Sequence, residues 1–60
     1  MNSEFEVFIG KDGKYHWRLQ AENGEIIAQS EAYESEQGCY KGIFSVQANA
    51  QKATIKKVPQ

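Results

Sequence analysis

Several side chains in this sequence are of types that do chemistry. Cys39 stands four residues after Ser35, in the first turn of an expected helix. A helix N-terminus lowers a thiol pKa and can make a cysteine nucleophilic. The same position also heads an apolar stripe, where a cysteine acts as a small buried hydrophobe. No histidine is near it in sequence, which favours the second role. His16 is the one histidine, and a general base needs both an orienting partner and a pocket. Glu31 is a candidate partner if the third strand runs that far; otherwise His16 is a surface histidine on an open sheet. Arg18 with Glu6 makes either part of an anion or peptide site or an ion pair on a sheet surface. Ser30, Glu31 and Tyr33 make either a polar cluster fixing the entry to the helix or a small ligand niche.

Other patterns point away from specific chemistries. Gly10-Lys11-Asp12-Gly13 lacks the spacing and following helix of a phosphate loop and reads as a turn. One cysteine and one histidine, with no CxxC or HxxxH spacing, argue against a structural zinc site and exclude an internal disulfide. Neither a metal nor another cofactor is expected. Lys14-Tyr15-His16-Trp17-Arg18 interleaves aromatics with bases, as nucleic-acid-binding sheets do. Such a sheet needs its aromatics on the exposed face, and here Tyr15 and Trp17 share a face with Leu19. Eight acids against seven bases give no general attraction for a polyanion.

The elements that must hold these residues follow from parity. Phe5, Val7 and Ile9 alternate, as do Tyr15, Trp17 and Leu19. A two-residue Asp12-Gly13 loop would set Ile9 against His16 and mix the two faces. A three-residue loop, Lys11-Asp12-Gly13, sets Ile9 against Tyr15, Val7 against Trp17, Phe5 against Leu19 and Glu6 against Arg18, with Gly13 left-handed. Asn23-Gly24 predicts a two-residue type I′ turn pairing Ala21 with Ile26, Leu19 with Ala28 and Trp17 with Ser30. Ser35 is a good N-cap, and Cys39, Ile43, Val46 and Ala50 recur at helical spacing. Residues 53–58 read as a last short strand, ended by Pro59. The expected elements are strands over 4–10, 14–21 and 25–31, a helix over 36–49 and a strand over 53–58, in one domain spanning residues 1–60. The expected core is Phe5, Val7, Ile9, Tyr15, Trp17, Leu19, Ile26, Ala28, Cys39, Ile43, Val46 and Ile55.

Size then limits what this fold can do alone. A 6.8 kDa chain exposes roughly 9,900 Å² unfolded and roughly 4,000 Å² folded. Burial at about 60% apolar area is worth on the order of 90 kcal/mol, and ordering 60 residues costs about as much. Chains this small usually need a disulfide, a metal or a partner. A second copy is the simplest remaining support. Lys52, Lys56 and Lys57 at one end and Glu22, Glu25, Glu31, Glu34 and Glu36 in the middle are a second hint of self-association. With no membrane-length apolar run and no leader pattern, the expected location is the cytoplasm.

Three segments resemble the YegP-like proteins, a family of small bacterial and archaeal domains of unknown function: Gly13 to Leu19, Asn23 to Ala28 with Ser30-Glu31-Ala32-Tyr33, and Ser35 to Asn49-Ala50. The resemblance runs from Phe5 to about Ile55. It implies an α+β fold of β-β-β-α-β order, one helix on one face of an antiparallel sheet. It also implies that units assemble in pairs with swapped C-terminal strands, so that a single-unit chain is a homodimer. It implies no activity. Tyr40-Lys41 and Phe44 stand where the family pattern has small or polar residues, which adds an apolar patch beside the helix. The expected function is that of a non-enzymatic homodimeric module binding a protein or small ligand through a surface that includes His16, Arg18, Ser30, Glu31 and Tyr33. The alternatives are a nucleic-acid binder and a small thiol-based enzyme.

Overall fold

Residues that alternate in the sequence pair in the structure. The computed structural model describes residues 2–59 and contains strands β1 (Glu4–Ile9), β2 (Tyr15–Gln20) and β3 (Ile26–Gln29), then helix α1 (Glu36–Ala50). The strands form an antiparallel sheet in the order β1-β2-β3. β1 and β2 take the expected register, with Ile9 opposite Tyr15, Val7 opposite Trp17, Phe5 opposite Leu19, Phe8 opposite His16 and Glu6 opposite Arg18. The loop is the three-residue one: Gly10 N–H donates to the Lys14 carbonyl, and Gly13 takes a φ of 76°.

The second hairpin corrects the reading of Asn23-Gly24. A type I′ turn needs a positive φ at both residues, and only Gly24, at 90°, has one. Ala21 N–H donates to the Glu25 carbonyl and Gly24 N–H to the Ala21 carbonyl. The loop is therefore Glu22-Asn23-Gly24, the same design as the first. The Asn23 side chain accepts from Glu25 N–H at 3.0 Å, as Asp12 does from Lys14 N–H at 2.9 Å. The longer loop shifts pairing by one, so that Gln20 faces Ile26 rather than Ala21 facing it. A bulge between Leu19 and Gln20 then restores Leu19 opposite Ala28. Ile26 consequently leaves the expected core and is 41% exposed.

Ser35 caps α1 as expected, its hydroxyl accepting from Gly38 N–H at 3.0 Å. The helix lays Cys39 and Ile43 on Trp17, and these three are the buried core. Phe5, Val7, Tyr15, Leu19, Ala28, Tyr33 and Val46 pack around it. Phe5 meets the Trp17 ring edge-on with centroids 5.4 Å apart. Trp17 Nε1 is sealed from solvent without an acceptor among the described residues, which costs about 1–3 kcal/mol.

Residues 53–58 form no strand here; they follow the helix as exposed chain without regular hydrogen bonding. Ile55, expected in the core, is fully exposed, and Ile9, at the end of the edge strand, is 63% exposed. The alternation of a strand is present in 53–58, but no strand among the described residues pairs with it. The whole chain exposes 5215 Å², against roughly 4,000 Å² for a folded monomer of this mass. Its radius of gyration is 13.0 Å, where a compact chain of this length has about 10 Å.

Candidate functional site

The helix covers one face of the sheet and leaves the other open, as antiparallel sheets commonly do. On that open face β1 presents Glu6 and Phe8, and β2 presents His16 and Arg18. They form a continuous ladder. Arg18 Nε donates to Glu6 Oε1 at 2.7 Å. The guanidinium carbon sits 4.8 Å from the centroid of the Phe8 ring, a cation–π contact. The other neighbour of Phe8 is His16, stacked with centroids 5.5 Å apart and ring planes at 18°. His16 Nε2 lies 3.0 Å from both oxygens of Asp12.

Asp12, not the candidate Glu31, is the partner of His16. β3 ends at Gln29 and the chain then turns away, leaving Glu31 exposed. The three-residue loop instead folds Asp12 back over Gly10. A Cβ at position 10 would sit 2.8 Å from His16 Nε2, so glycine there lets the imidazole settle against the turn. The Lys14 backbone N–H, and then His16, hold the Asp12 carboxyl below its ordinary pKa. His16 is only 20% exposed, drier than an outer-face position would suggest, because Phe8 covers one side of the ring.

Arg18 and Glu6 are both partly exposed, so their ion pair is worth at most about 1 kcal/mol. Arg18 meets Glu6 through Nε, which leaves its terminal nitrogens as the donors available to an incoming carboxylate or phosphate. Phe8 is flanked by Arg18 and His16 rather than free to stack a base. The roles of Phe8 and Asp12 were not read from the sequence. The Phe8–His16 register was the one signal that could have revealed the stack.

Ser30, Glu31 and Tyr33 are not brought to this ladder; they secure the path from β3 into α1. Ser30 Oγ accepts from Trp17 N–H at 2.8 Å and donates to the Glu31 carbonyl at 2.7 Å, while Ser30 N–H donates to the Trp17 carbonyl. Tyr33 exchanges two backbone hydrogen bonds with Tyr15, at 2.8 and 3.0 Å. Its ring lies over Gly38 and Gly42 of the helix, so close that a Cβ at position 42 would overlap the hydroxyl end. Glu34 next to it pairs with Lys14 at 2.9 Å and raises the lysine pKa.

Cys39 is completely buried, and burial pushes its thiol pKa up, with Glu36 adding to the shift. That is the reverse of an activated nucleophile. Among the described residues no group of three or more His, Cys, Asp and Glu could hold a metal ion. No helix among them is long and apolar enough to cross a membrane.

Comparison with known proteins gives a consistent picture. Residues 11–56 match the family described as "Domain of unknown function (DUF1508)". A UPF0339 protein of Methanosarcina acetivorans is 57% identical over 53 residues, covering 88% of this chain and 91% of its own. YegP of Yersinia pestis is 48% identical over 46 residues, which are 77% of this chain but 41% of that one. An NMR solution structure of a protein from Haloferax volcanii superposes with a TM-score of 0.87 at 43% identity, covering 97% of this chain and 100% of that one. With the family match over residues 11–56 and these identities over most of its length, this chain belongs to the DUF1508 family, the UPF0339 proteins that include YegP.

Proposed function

We propose that the protein is a non-enzymatic binding module that works as a homodimer, the two copies exchanging residues 53–58 to complete each other's sheets. The observation that carries this reading is Ile55. It belongs to a segment with strand alternation, yet it is fully exposed, and Val58 beside it is 70% exposed. The chain's 5215 Å² is about 1,200 Å² more than a folded monomer of its mass exposes. An obligate homodimer interface removes about 1,000–2,500 Å² per partner, so a dimer accounts for an excess of this size. Relatives of matching length and one more than twice the matched length support units that work in pairs. The binding role rests on the open sheet face, where the free guanidinium nitrogens of Arg18 lie beside Phe8.

The test is molar mass by light scattering over a dilution series, with far-UV circular dichroism at each concentration. A mass near twice 6.8 kDa, with secondary structure lost only as the mass halves, is the expected result. A folded monomer at micromolar concentration would overturn the reading.

A further inference from the structure

The two hairpin loops of the sheet are built alike. In Lys11-Asp12-Gly13, Gly13 N–H donates to the Gly10 carbonyl at 3.0 Å, and Asp12 Oδ1 accepts from Lys14 N–H at 2.9 Å. In Glu22-Asn23-Gly24, Gly24 N–H donates to the Ala21 carbonyl at 2.9 Å, and Asn23 Oδ1 accepts from Glu25 N–H at 3.0 Å. The central side chain is an acid in one loop and an amide in the other. Their surroundings differ too: Asp12 has Lys11, Lys14 and His16 around it, whereas Asn23 has Glu22 and Glu25. The side-chain carbon of an asparagine can be attacked by the next backbone nitrogen, which is one reason the residue is thermolabile. A following glycine, with no Cβ, leaves that approach open. Of the asparagines in this chain, only Asn23 precedes a glycine. Asn2 precedes Ser3, and Asn49 precedes Ala50 within α1, where its amide donates to the Ser45 carbonyl at 2.8 Å. Asn23 is exposed, and nothing lies within 4 Å of the place a Cβ would take on Gly24. No side-chain packing at that point resists rearrangement of the loop tip.

We propose that Asn23-Gly24 is a self-acting modification site, where the amide becomes a carboxylate without an enzyme, at a rate set by the hydrogen bonds of the loop. The Gly24 nitrogen loses its proton to solvent base and bonds to Asn23 Cγ. The Cγ–Nδ2 bond breaks, and that nitrogen takes up a proton and leaves as ammonia. Water then opens the cyclic imide at either carbonyl, giving aspartate or isoaspartate at position 23. One loop bond favours the attack: Glu25 N–H donates to Oδ1, the oxygen on which negative charge develops. The others oppose it. Gly24 N–H is committed to Ala21, and Gln20 Nε2 holds the Gly24 carbonyl at 3.0 Å. The loop tip must open before the nitrogen is free, and exposed hairpin ends open more readily than the core. Asp12-Gly13 is the internal comparison. Lys14 N–H and His16 hold the Asp12 carboxyl below its ordinary pKa and so ionised, and a charged carboxylate is a far poorer electrophile than an amide. Aspartate at position 23 keeps the acceptor for Glu25 N–H, as Asp12 does for Lys14, but adds charge between two glutamates. Isoaspartate lengthens the backbone and disrupts the loop bonds at Ala21.

The test incubates the full chain at mildly alkaline pH, folded and in urea, alongside Gln20→Ala and Asp12→Asn. Peptide mass spectrometry follows the loss of ammonia at each asparagine, with fragmentation that separates aspartate from isoaspartate. Circular dichroism checks that each chain is folded in buffer. Conversion at Asn23 ahead of Asn2 and Asn49, with both products, is the expected result. The folded chain should react about tenfold or more slowly than the unfolded one, the effect of releasing the loop hydrogen bonds. Gln20→Ala should speed the folded reaction severalfold and leave the rate in urea unchanged. Asp12→Asn should create a second site of ammonia loss, in the first loop. No conversion at Asn23 in either state, or aspartate without isoaspartate, would overturn the site. Equal rates in the folded and unfolded chain, or a folded rate unmoved by Gln20→Ala, would overturn the control by the loop bonds. An Asp12→Asn chain that loses no ammonia at that position would overturn the contrast between the two loops.

Discussion

Replacing Gly42 with alanine ought to help an ordinary helix by about 1 kcal/mol, because glycine is the costlier residue in a helix interior. Here the opposite is expected. A Cβ at position 42 would overlap the hydroxyl end of the Tyr33 ring and press on its Cε1 at 3.2 Å. Tyr33 cannot simply withdraw, since its backbone is tied to Tyr15 by two hydrogen bonds. Overpacking of this kind costs about 1–3 kcal/mol, which exceeds the helix gain and leaves a net loss of about 1 kcal/mol. Gly38, one turn earlier, is a graded comparison: its Cβ would meet Ser35 Oγ at 3.2 Å and Tyr33 Cδ1 at 3.7 Å, so Gly38→Ala should stay within about 0.5 kcal/mol of wild type. The assay is urea unfolding at one fixed protein concentration, because the proposed dimerisation would contribute to apparent stability. Gly42→Ala should lower the midpoint in the wild-type background and raise it in a Tyr33→Ala background. An equal gain of about 1 kcal/mol in both backgrounds would refute the packing of Tyr33 on Gly42.

Two further predictions concern titrating groups. Cys39 should react with an aromatic disulfide reagent far more slowly in the folded protein than in urea, since it is buried and its thiol is held neutral. Its raised pKa means that its contribution to stability is present below the ordinary thiol value of 9.0 and is lost as pH rises through the higher folded value. A native reaction as fast as the unfolded one would contradict the burial. Asp12 has its pKa lowered from 3.8, so its contribution is present above that value and lost as pH falls through the lower folded one. Carbon-detected NMR of the side-chain carboxyl should give a midpoint below 3.8, and Gly10→Ala, by displacing His16 from the turn, should move it back toward that value.

Parity made the first hairpin legible to the residue, because Phe5, Val7 and Ile9 could meet Tyr15, Trp17 and Leu19 on one face in only one way. The second hairpin misled for a physical reason. A three-residue loop shifts pairing by one, and a bulge at Leu19/Gln20 shifts it back. The Leu19–Ala28 pair is therefore the same for either loop, and only Ile26 betrays the difference. Residues 53–58 carry the alternation of a strand, but alternation cannot name a pairing partner, and among the described residues they pair with none. On the open face, the Glu6–Arg18 pair followed from register. The Asp12–His16 contact did not, since it depends on a turn tip folding back over Gly10. Ser30 and Tyr33 were recognisable as polar residues at a junction. Their roles came from backbone hydrogen bonds to Trp17 and Tyr15 that no side-chain pattern encodes.

The proposed exchange of C-terminal segments is tested most directly by mixing isotope-labelled and unlabelled chains, refolding them together, and recording isotope-filtered NOEs from the Ile55 methyl groups. Cross-peaks from labelled Ile55 to protons of the unlabelled copy are the expected result. Ile55 methyls that show NOEs only within their own chain, or that keep random-coil shifts at concentrations where the protein is folded, would contradict the exchanged dimer.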